Sequence, residues 1–131
     1  MELITSLTNA KVKMALSLQQ KKYRDKYQLF ILEGIRNAEM VIAKNISVQM
    51  CFFTQKAFTN ERGKSILEQL NCPCFEVPEH IYQKISDTQS PQGLMLILPI
   101  QNHNLDDLAT INKSGLYLIL DRLQDPGNIG T

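Results

Sequence analysis

Long apolar segments and targeting signals are missing from this sequence. No apolar run approaches the ~20 residues that a helix needs to span a bilayer. The amino terminus also lacks the basic-then-apolar pattern of a secretory signal. We therefore expect a cytoplasmic protein that is not inserted in a membrane.

The sequence is also poor in metal-ligand patterns. Its cysteines are odd in number, and Cys72 and Cys74 are separated by one residue rather than by the two of zinc and redox pairs. Cys51 lies within an apolar run and is typical of a small core residue. His80 and His103 have no H-x-x-x-H spacing. We predict no metal site and no structural disulfide.

Charge is nearly balanced overall but unevenly distributed. With 131 residues, of which 44% are hydrophobic and 21% charged, the chain fits one folded domain plus part of another. Residues 11–26 contain six basic residues and a single acidic one, Asp25. Both a contact with phosphates and a solvated helix face fit such a cluster. The basic residues are Lys11, Lys13, Lys21, Lys22, Arg24 and Lys26.

Strand-like and helix-like segments alternate from about residue 28 to residue 98. Apolar strands are predicted at residues 28–32, 48–54, 74–77 and 94–98, and helices from about residue 10, at residues 35–44 and 60–70, and from Pro78. This order predicts an α/β domain of three layers with a mostly parallel sheet, spanning residues 1–99. Residues 100–114 are polar and typical of a linker. The unbroken apolar run at residues 116–120 then predicts the first strand of a second domain, residues 115–131.

A turn follows that last strand. Asp125, Pro126, Gly127 and Asn128 have the composition of a β-turn, and Gly127 and Gly130 leave room for a ligand near the backbone. A turn of this composition is a plain connection in roughly three cases of four. A nucleotide-phosphate loop is the weakest alternative, because the segment has neither the lysine of a P-loop nor a three-glycine dinucleotide pattern.

Three ordered segments resemble the SpoU (TrmH-like) branch of the SPOUT RNA methyltransferases. F-I-L-E-G-I-R at residues 30–36 is similar to the F-x-x-E-G-x-R segment of the amino-terminal substrate-binding domain of that family. I-S-D-T-Q-S-P-Q-G at residues 85–93 resembles the S-x-T-x-x-P-Q-G segment that ends this domain. D-R-L-Q-D-P-G-N-I-G at residues 121–130 resembles the first motif of the catalytic domain.

The resemblance implies a fold and an activity. The substrate-binding domain should resemble ribosomal protein L30e, and the truncated second domain should begin a knotted α/β fold. Family members transfer a methyl group from S-adenosylmethionine to a ribose 2′-hydroxyl of RNA, here expected to be rRNA or tRNA. They usually pair through the carboxy-terminal domain, so the full-length protein should be a homodimer.

The resemblance also implies roles for individual residues. Asn128 should lie at the active site, where its amide positions the ribose or the motif's arginine, while Asp125 and Gly130 shape the loop. That arginine and the cofactor motifs are not within these 131 residues, so we expect the chain by itself to be inactive and not to bind the cofactor. An ion pair between Glu33 and Arg36 is the plain structural alternative for that segment. The residues expected at the RNA surface are Lys11, Lys21, Lys22, Arg24, Glu33, Arg36 and Gln92.

Two functions thus stay open at the level of sequence. One is an RNA 2′-O-ribose methyltransferase in which residues 1–99 recognise the substrate. The other is a non-catalytic RNA-binding module with an L30e-like fold. A downstream sequence with the arginine and the cofactor motifs favours the first, and a natural stop at Thr131 favours the second.

Overall fold

The computed structural model describes residues 1–102 together with Leu118 and Asp121, and the secondary structure lies within the compact unit Met1–Ile100. The strands are β1 (Glu2–Leu3), β2 (Leu29–Glu33), β3 (Met50–Phe53), β4 (Cys74–Glu76) and β5 (Leu94–Pro99). The helices are α1 (Ala10–Ser17), α2 (Lys21–Tyr27), α3 (Ile35–Ala43), α4 (Gln55–Thr59), α5 (Glu61–Gln69) and α6 (Glu79–Ile85). The predicted linker and second domain lie almost wholly outside the described residues.

The sheet is mixed, with the strand order β1-β4-β3-β5-β2. β1 pairs with β4, and β4 with β3, in parallel, but β5 is antiparallel to both of its neighbours, β3 and β2. The expectation of a mostly parallel sheet is therefore wrong for the half that contains β5. The physical reason is that the chain returns from α6 to the edge where β2 and β3 end. Leu94 pairs with Phe53 there and Met95 pairs with Glu33, so β5 can only run back the opposite way.

Helices cover both faces of the sheet and give the three predicted layers. On one face α1 and α6 pack through Val12, Ala15, Ile81 and Ile85 against Phe52, Phe75, Met95 and Ile97. On the other face α3 and α5 pack through Ala38, Val41, Ile66 and Leu67 against Cys51, Phe53, Leu94 and Leu96. Alternate residues of β3 and β5 serve opposite faces, as the pleat of a strand requires. Their apolar runs without polar alternation reflect burial on both sides.

Local signals explain most of the element ends. The side chain of Asn9 accepts a hydrogen bond from the Lys11 N–H at 2.9 Å and so caps α1, and Asn60 caps α5 in the same way. Pro78 precedes the first residue of α6. The sequence did not predict β1, α2 or α4. β1 and α4 have two and five residues and are too short for hydrophobic periodicity to stand out, and α2 has no apolar stripe apart from its two tyrosines.

Within the described residues, no helix is long and apolar enough to cross a membrane. The same part of the chain contains no cluster of three or more His, Cys, Asp or Glu side chains arranged to hold a metal ion. Cys51, Cys72 and Cys74 are free thiols, and contact with the Cys74 thiol together with burial raises the pKa of Cys51.

Candidate nucleic-acid interface

The carboxylate of Glu33 joins two segments that are far apart in sequence. Glu33 is the last residue of β2, and its side chain accepts hydrogen bonds from Tyr82 Oη at 3.1 Å, Ser86 Oγ at 2.8 and 2.9 Å, and Thr88 Oγ1 at 3.1 Å. We call these four residues the Glu33 cluster. Three hydroxyl donors on one carboxylate leave little acceptor capacity for another ligand. The geometry thus gives Glu33 a role in holding residues 86–93, hereafter the motif loop, against the end of β2.

Tyr82 is the buried member of the cluster. Its side chain is fully buried, and burial, followed by the nearby Glu33 carboxylate, raises its pKa well above the usual value for tyrosine. The phenol therefore remains protonated and keeps donating to Glu33. The plain alternative of an ion pair between Glu33 and Arg36 is not what the structure shows. Among the described residues the close ion pairs join Lys11 to Glu2, Lys21 to Asp25 and Arg62 to Glu39.

Backbone contacts fix the same junction from the other side. The Gly34 N–H donates to the Leu94 carbonyl at 3.0 Å, and the Ile35 N–H donates to Gln92 Oε1 at 2.8 Å. Gly34 has φ +105°, a conformation that favours glycine. Gln92 therefore uses its Oε1 to cap the start of α3, while its amide NH2 group can donate to a ligand.

Gly93 is the last residue of the motif loop and packs tightly against Thr54. Its φ is +77°, and a Cβ at this position would lie 2.3 Å from Thr54 Oγ1. The Thr54 N–H donates to the Gly93 carbonyl at 2.9 Å, and Lys56 Nζ donates to the Pro91 carbonyl at 3.0 Å. Thr54 Oγ1 is buried and has no hydrogen-bond partner among the described residues. Gly93 is therefore required by packing as well as by its backbone conformation.

A shallow pocket of about 340 Å³ opens where the two segments meet. Arg36 is exposed at its rim and contributes positive charge, while hydroxyl and amide groups supply hydrogen-bond donors. The guanidinium and the neutral donors suit a phosphate or the polar edge of a base, while the Glu33 carboxylate in the lining accepts hydrogen bonds within its own cluster. The pocket is lined by Glu33, Gly34, Arg36, Asn37, Thr88, Ser90 and Gln92.

Four residues of the basic cluster lie on a helix of their own, α2, while Lys11 and Lys13 lie on α1. None of the α2 residues is buried, and Lys21, Lys22 and Lys26 are exposed. Arg24 behaves differently, because its Nη1 donates to the carbonyls of Leu18 at 2.9 Å and Gln19 at 2.8 Å. Arg24 therefore anchors α2 to the end of α1, and the lysines carry the charge that is open to solvent.

A hydrogen-bonded connection links α2 to the motif loop. Gln19 Nε2 donates to the carbonyls of Lys84 at 2.7 Å and Ile85 at 3.0 Å, at the end of α6. Ser86 follows directly and donates to Glu33, while Gln20 precedes the first residue of α2. The start of the basic helix is thus held next to the start of the motif loop.

Lys11 does not join this group. Its Nζ lies 3.3 Å from Glu2 Oε2 and 4.5 Å from the centroid of the Phe75 ring, beside β1 and β4. Of the predicted RNA-surface residues, those on α2 and those around the motif loop are brought together, and Lys11 lies apart from them. Whether any of them contacts RNA stays a prediction. Asp125, Asn128 and Gly130 lie outside the described residues.

Sequence reasoning missed Tyr27. The rings of Tyr23 and Tyr27 stack with their centroids 6.2 Å apart and their planes 16° from parallel. Lys22 Nζ lies 5.6 Å from the Tyr23 centroid, and Lys26 Nζ lies 5.4 Å from that of Tyr27. The i, i+4 spacing of the two tyrosines was the available signal, but it carries meaning only once this segment is known to be a helix.

Comparison with known proteins identifies this domain. Residues 9–96 match the family described as "MRM3-like substrate binding domain", which covers more than half of the chain. The chain belongs to that family. Two of its relatives are named as rRNA methyltransferases, in agreement with the resemblance of its motifs to SpoU-type enzymes.

The two relatives are considerably longer than this chain. It is 31% identical over 116 residues to "rRNA methyltransferase 3, mitochondrial" of Xenopus laevis, covering 86% of this chain and 27% of the relative. It is 30% identical over 131 residues to "23S rRNA (guanosine(2553)-2′-O)-methyltransferase RlmP" of Bacillus subtilis, covering 100% of this chain and 48% of the relative. The chain thus spans about half the length of the bacterial relative.

Solved structures share the fold. A crystal structure named "RNA 2′-O ribose methyltransferase" superposes with a TM-score of 0.73 at 24% identity, covering 98% of this chain and 48% of that one. An AdoMet-bound rRNA methyltransferase from Sinorhizobium meliloti gives a TM-score of 0.66 at 24% identity, covering 81% of this chain and 39% of that one.

Proposed function

We propose that this chain is the RNA-recognition part of an rRNA 2′-O-ribose methyltransferase that uses S-adenosylmethionine. The observation that carries the proposal is the meeting of the two family segments at one edge of the sheet, beside a basic helix. Glu33 and Ser86 join them at 2.8 Å, and Gln19 ties the start of α2 to the same place. The names of the curated relatives support rRNA as the substrate class.

The described residues bind and orient RNA in this account. Lys21, Lys22 and Lys26 attract the phosphate backbone, because each exposed cation displaces counterions from it. Arg36 and the amide group of Gln92 contact one phosphate or base edge at the pocket. The Glu33 cluster keeps the motif loop in place before RNA arrives, which lowers the ordering cost of binding.

S-adenosylmethionine supplies the methyl group when it is bound by the whole protein. The ribose 2′-hydroxyl is a weak nucleophile, so its proton must be removed as the methyl group is transferred. By resemblance we assign Asn128 to position the reacting groups, with Asp125 and Gly130 shaping its loop. The homodimer expected for this family is part of the same proposal.

Methyl transfer by the whole protein, expressed from its native gene, tests the proposal. The protein is incubated with an rRNA transcript and S-adenosylmethionine carrying a labelled methyl group, and the RNA is digested to nucleosides for mass spectrometry. We expect label in a 2′-O-methylated ribose. RNA binding without transfer would support the non-catalytic module instead, and label on a base would contradict the assigned reaction.

A further inference from the structure

The aromatic face of α2 has no role in the core. The helix buries none of its residues, and Tyr27 is 41% exposed. Tyr23 and Tyr27 nevertheless stack on one another with nearly parallel planes. A pair of partly exposed, aligned rings on a helix that packs little is typical of a binding surface rather than of a structural one.

We propose that Tyr23 and Tyr27 form a stacking platform for an unpaired nucleotide of the RNA; this rests on the RNA-binding role proposed above. Proteins that bind single-stranded nucleic acid combine a positively charged surface with aromatic rings on which bases stack. On α2 both parts occur within seven residues. The more exposed ring, that of Tyr27, receives the base, and Tyr23 supports it from behind.

The lysines of α2 complete the platform. Lys22 and Lys26 extend over the Tyr23 and Tyr27 rings, within 5.6 and 5.4 Å of the centroids. Their flexible side chains can turn from the ring to a phosphate when a base occupies the ring face. With Lys21 and Arg24 the helix has four cations against the single carboxylate of Asp25, and this charge is complementary to RNA.

The occupant that fits is a loop or bulge nucleotide rather than a duplex. A-form duplexes keep their bases stacked inside the helix, and sequence-specific proteins instead read bases that are splayed out of loops, commonly by stacking on aromatic rings. A base paired within a duplex has both faces covered by its neighbours, so an exposed ring cannot stack on it. The lysines contact the phosphates of either form, so only the aromatic contribution separates loop from duplex.

Binding by the 131-residue chain to two RNAs with the same number of phosphates tests the platform. One is a stem-loop with an adenosine-rich loop that contains 2-aminopurine, and the other is a blunt duplex. The variants are Tyr27→Leu, which removes the ring, and Tyr27→Phe, which keeps it. Phe58→Leu is the matched control, because Phe58 is 37% exposed and lies on α4.

We expect Tyr27→Leu to weaken stem-loop binding by about 5- to 150-fold, the usual range for losing one stacked base, and to leave duplex binding unchanged. Tyr27→Phe and Phe58→Leu should bind as the wild type does, and wild-type binding should change 2-aminopurine fluorescence.

Unchanged stem-loop binding by Tyr27→Leu would overturn the platform, as would an equal loss for both RNAs. Equally tight binding of polyglutamate would assign the surface to an acidic protein instead. Failure of the wild type to bind either RNA would refute the RNA-binding role itself.

Discussion

Ser86 Oγ lies 2.8 Å from one carboxylate oxygen of Glu33 and 2.9 Å from the other, and this contact joins the end of β2 to the motif loop. The two residues are 53 positions apart in sequence, within segments that resemble separate family motifs. One carboxylate thus couples both segments. The glutamate at this position thus has a role in ordering the site.

Replacing Glu33 should destabilise the domain and disorder the motif loop. In Glu33→Ala, the buried Tyr82 hydroxyl loses its acceptor, and we expect unfolding in urea to be easier by about 1–3 kcal/mol. Glu33→Gln should lose less, because its amide oxygen still accepts one hydrogen bond. Gln69→Ala, which removes only exposed contacts to Ser65, is the matched control. Equal stability of Glu33→Ala and the control would contradict the role given to Glu33.

The two positive-φ glycines of the site should respond differently to alanine. A Cβ at Gly93 would lie 2.3 Å from Thr54 Oγ1, whereas one at Gly34 would lie 3.3 Å from the flexible end of Gln92. Both substitutions incur a backbone cost of about 1–3 kcal/mol, because both glycines have a positive φ and Gly34, with ψ 150°, lies in a region that is essentially restricted to glycine. Gly93→Ala adds a steric clash with Thr54 to this cost, and we expect it to be the more destabilising when the thermal midpoints are compared.

Thr54→Ala separates the steric cost at Gly93 from the backbone cost. Thr54 Oγ1 is buried without a partner in the described part of the chain, so Thr54→Ala alone should lose only the packing of the buried methyl group, about 1 kcal/mol. The Thr54→Ala/Gly93→Ala double variant should recover part of the loss caused by Gly93→Ala. A double variant whose losses are simply additive would show that the clash is not the cause.

Arg24 should keep α2 ordered even in the absence of RNA. Its guanidinium donates to the carbonyls of Leu18 and Gln19, and Arg24→Gln removes that anchor. We expect faster hydrogen exchange of the α2 amides in the free protein. Lys22→Gln makes the same charge change on an exposed side chain and should leave the exchange rates unchanged. If hydrogen exchange stayed slow in Arg24→Gln, Arg24 would not be an anchor of α2 and would act only as a phosphate contact.

The free energy of unfolding should fall at high pH because the unfolded chain releases the Tyr82 proton more readily than the folded protein does. Its pKa is raised in the folded state by burial and by the Glu33 carboxylate, whereas the unfolded chain releases the proton near the usual value of about 10. The stabilisation of the folded state by protonated Tyr82 is complete below pH 10. As the pH rises further, the free energy of unfolding falls by up to about 1.4 kcal/mol per pH unit. Tyr82→Phe should show a shallower loss of stability between pH 10 and 11.5. Parallel profiles for the two proteins would exclude this cause.

The sequence predicted the layers of the fold better than the direction of its last strand. The apolar runs and helix caps were sufficient for four of the strands and for α1, α3, α5 and α6. The reversal of β5 depends on where the motif loop is held, and that is decided by contacts of Glu33 and Gln92 with residues more than fifty positions away. Periodicity contains no signal for such contacts.

The sequence likewise predicted only part of the candidate site. Charge indicated the lysines of α2, and the family segments indicated Glu33, Arg36 and Gln92. Side-chain partners then gave different roles to residues of the same type. Arg24 anchors α2, and Lys11 pairs with Glu2 away from that helix. Lys21, which pairs with Asp25, and Lys22 are exposed at the start of α2. Only the three-dimensional structure distinguishes the roles of these basic residues.

The salt dependence of RNA binding tests the central claim most directly. The affinity of the 131-residue chain for an rRNA stem-loop is measured over a range of salt concentrations, for the wild type and for Lys21→Glu/Lys22→Glu. Lys44→Glu/Lys64→Glu, at the end of α3 and on α5, makes the same charge change elsewhere. If α2 contacts phosphates, reversing its two lysines should weaken binding and lower the slope of log K against log salt by about two, and the control should not. An unchanged slope in Lys21→Glu/Lys22→Glu would contradict the assignment of α2 to the RNA surface.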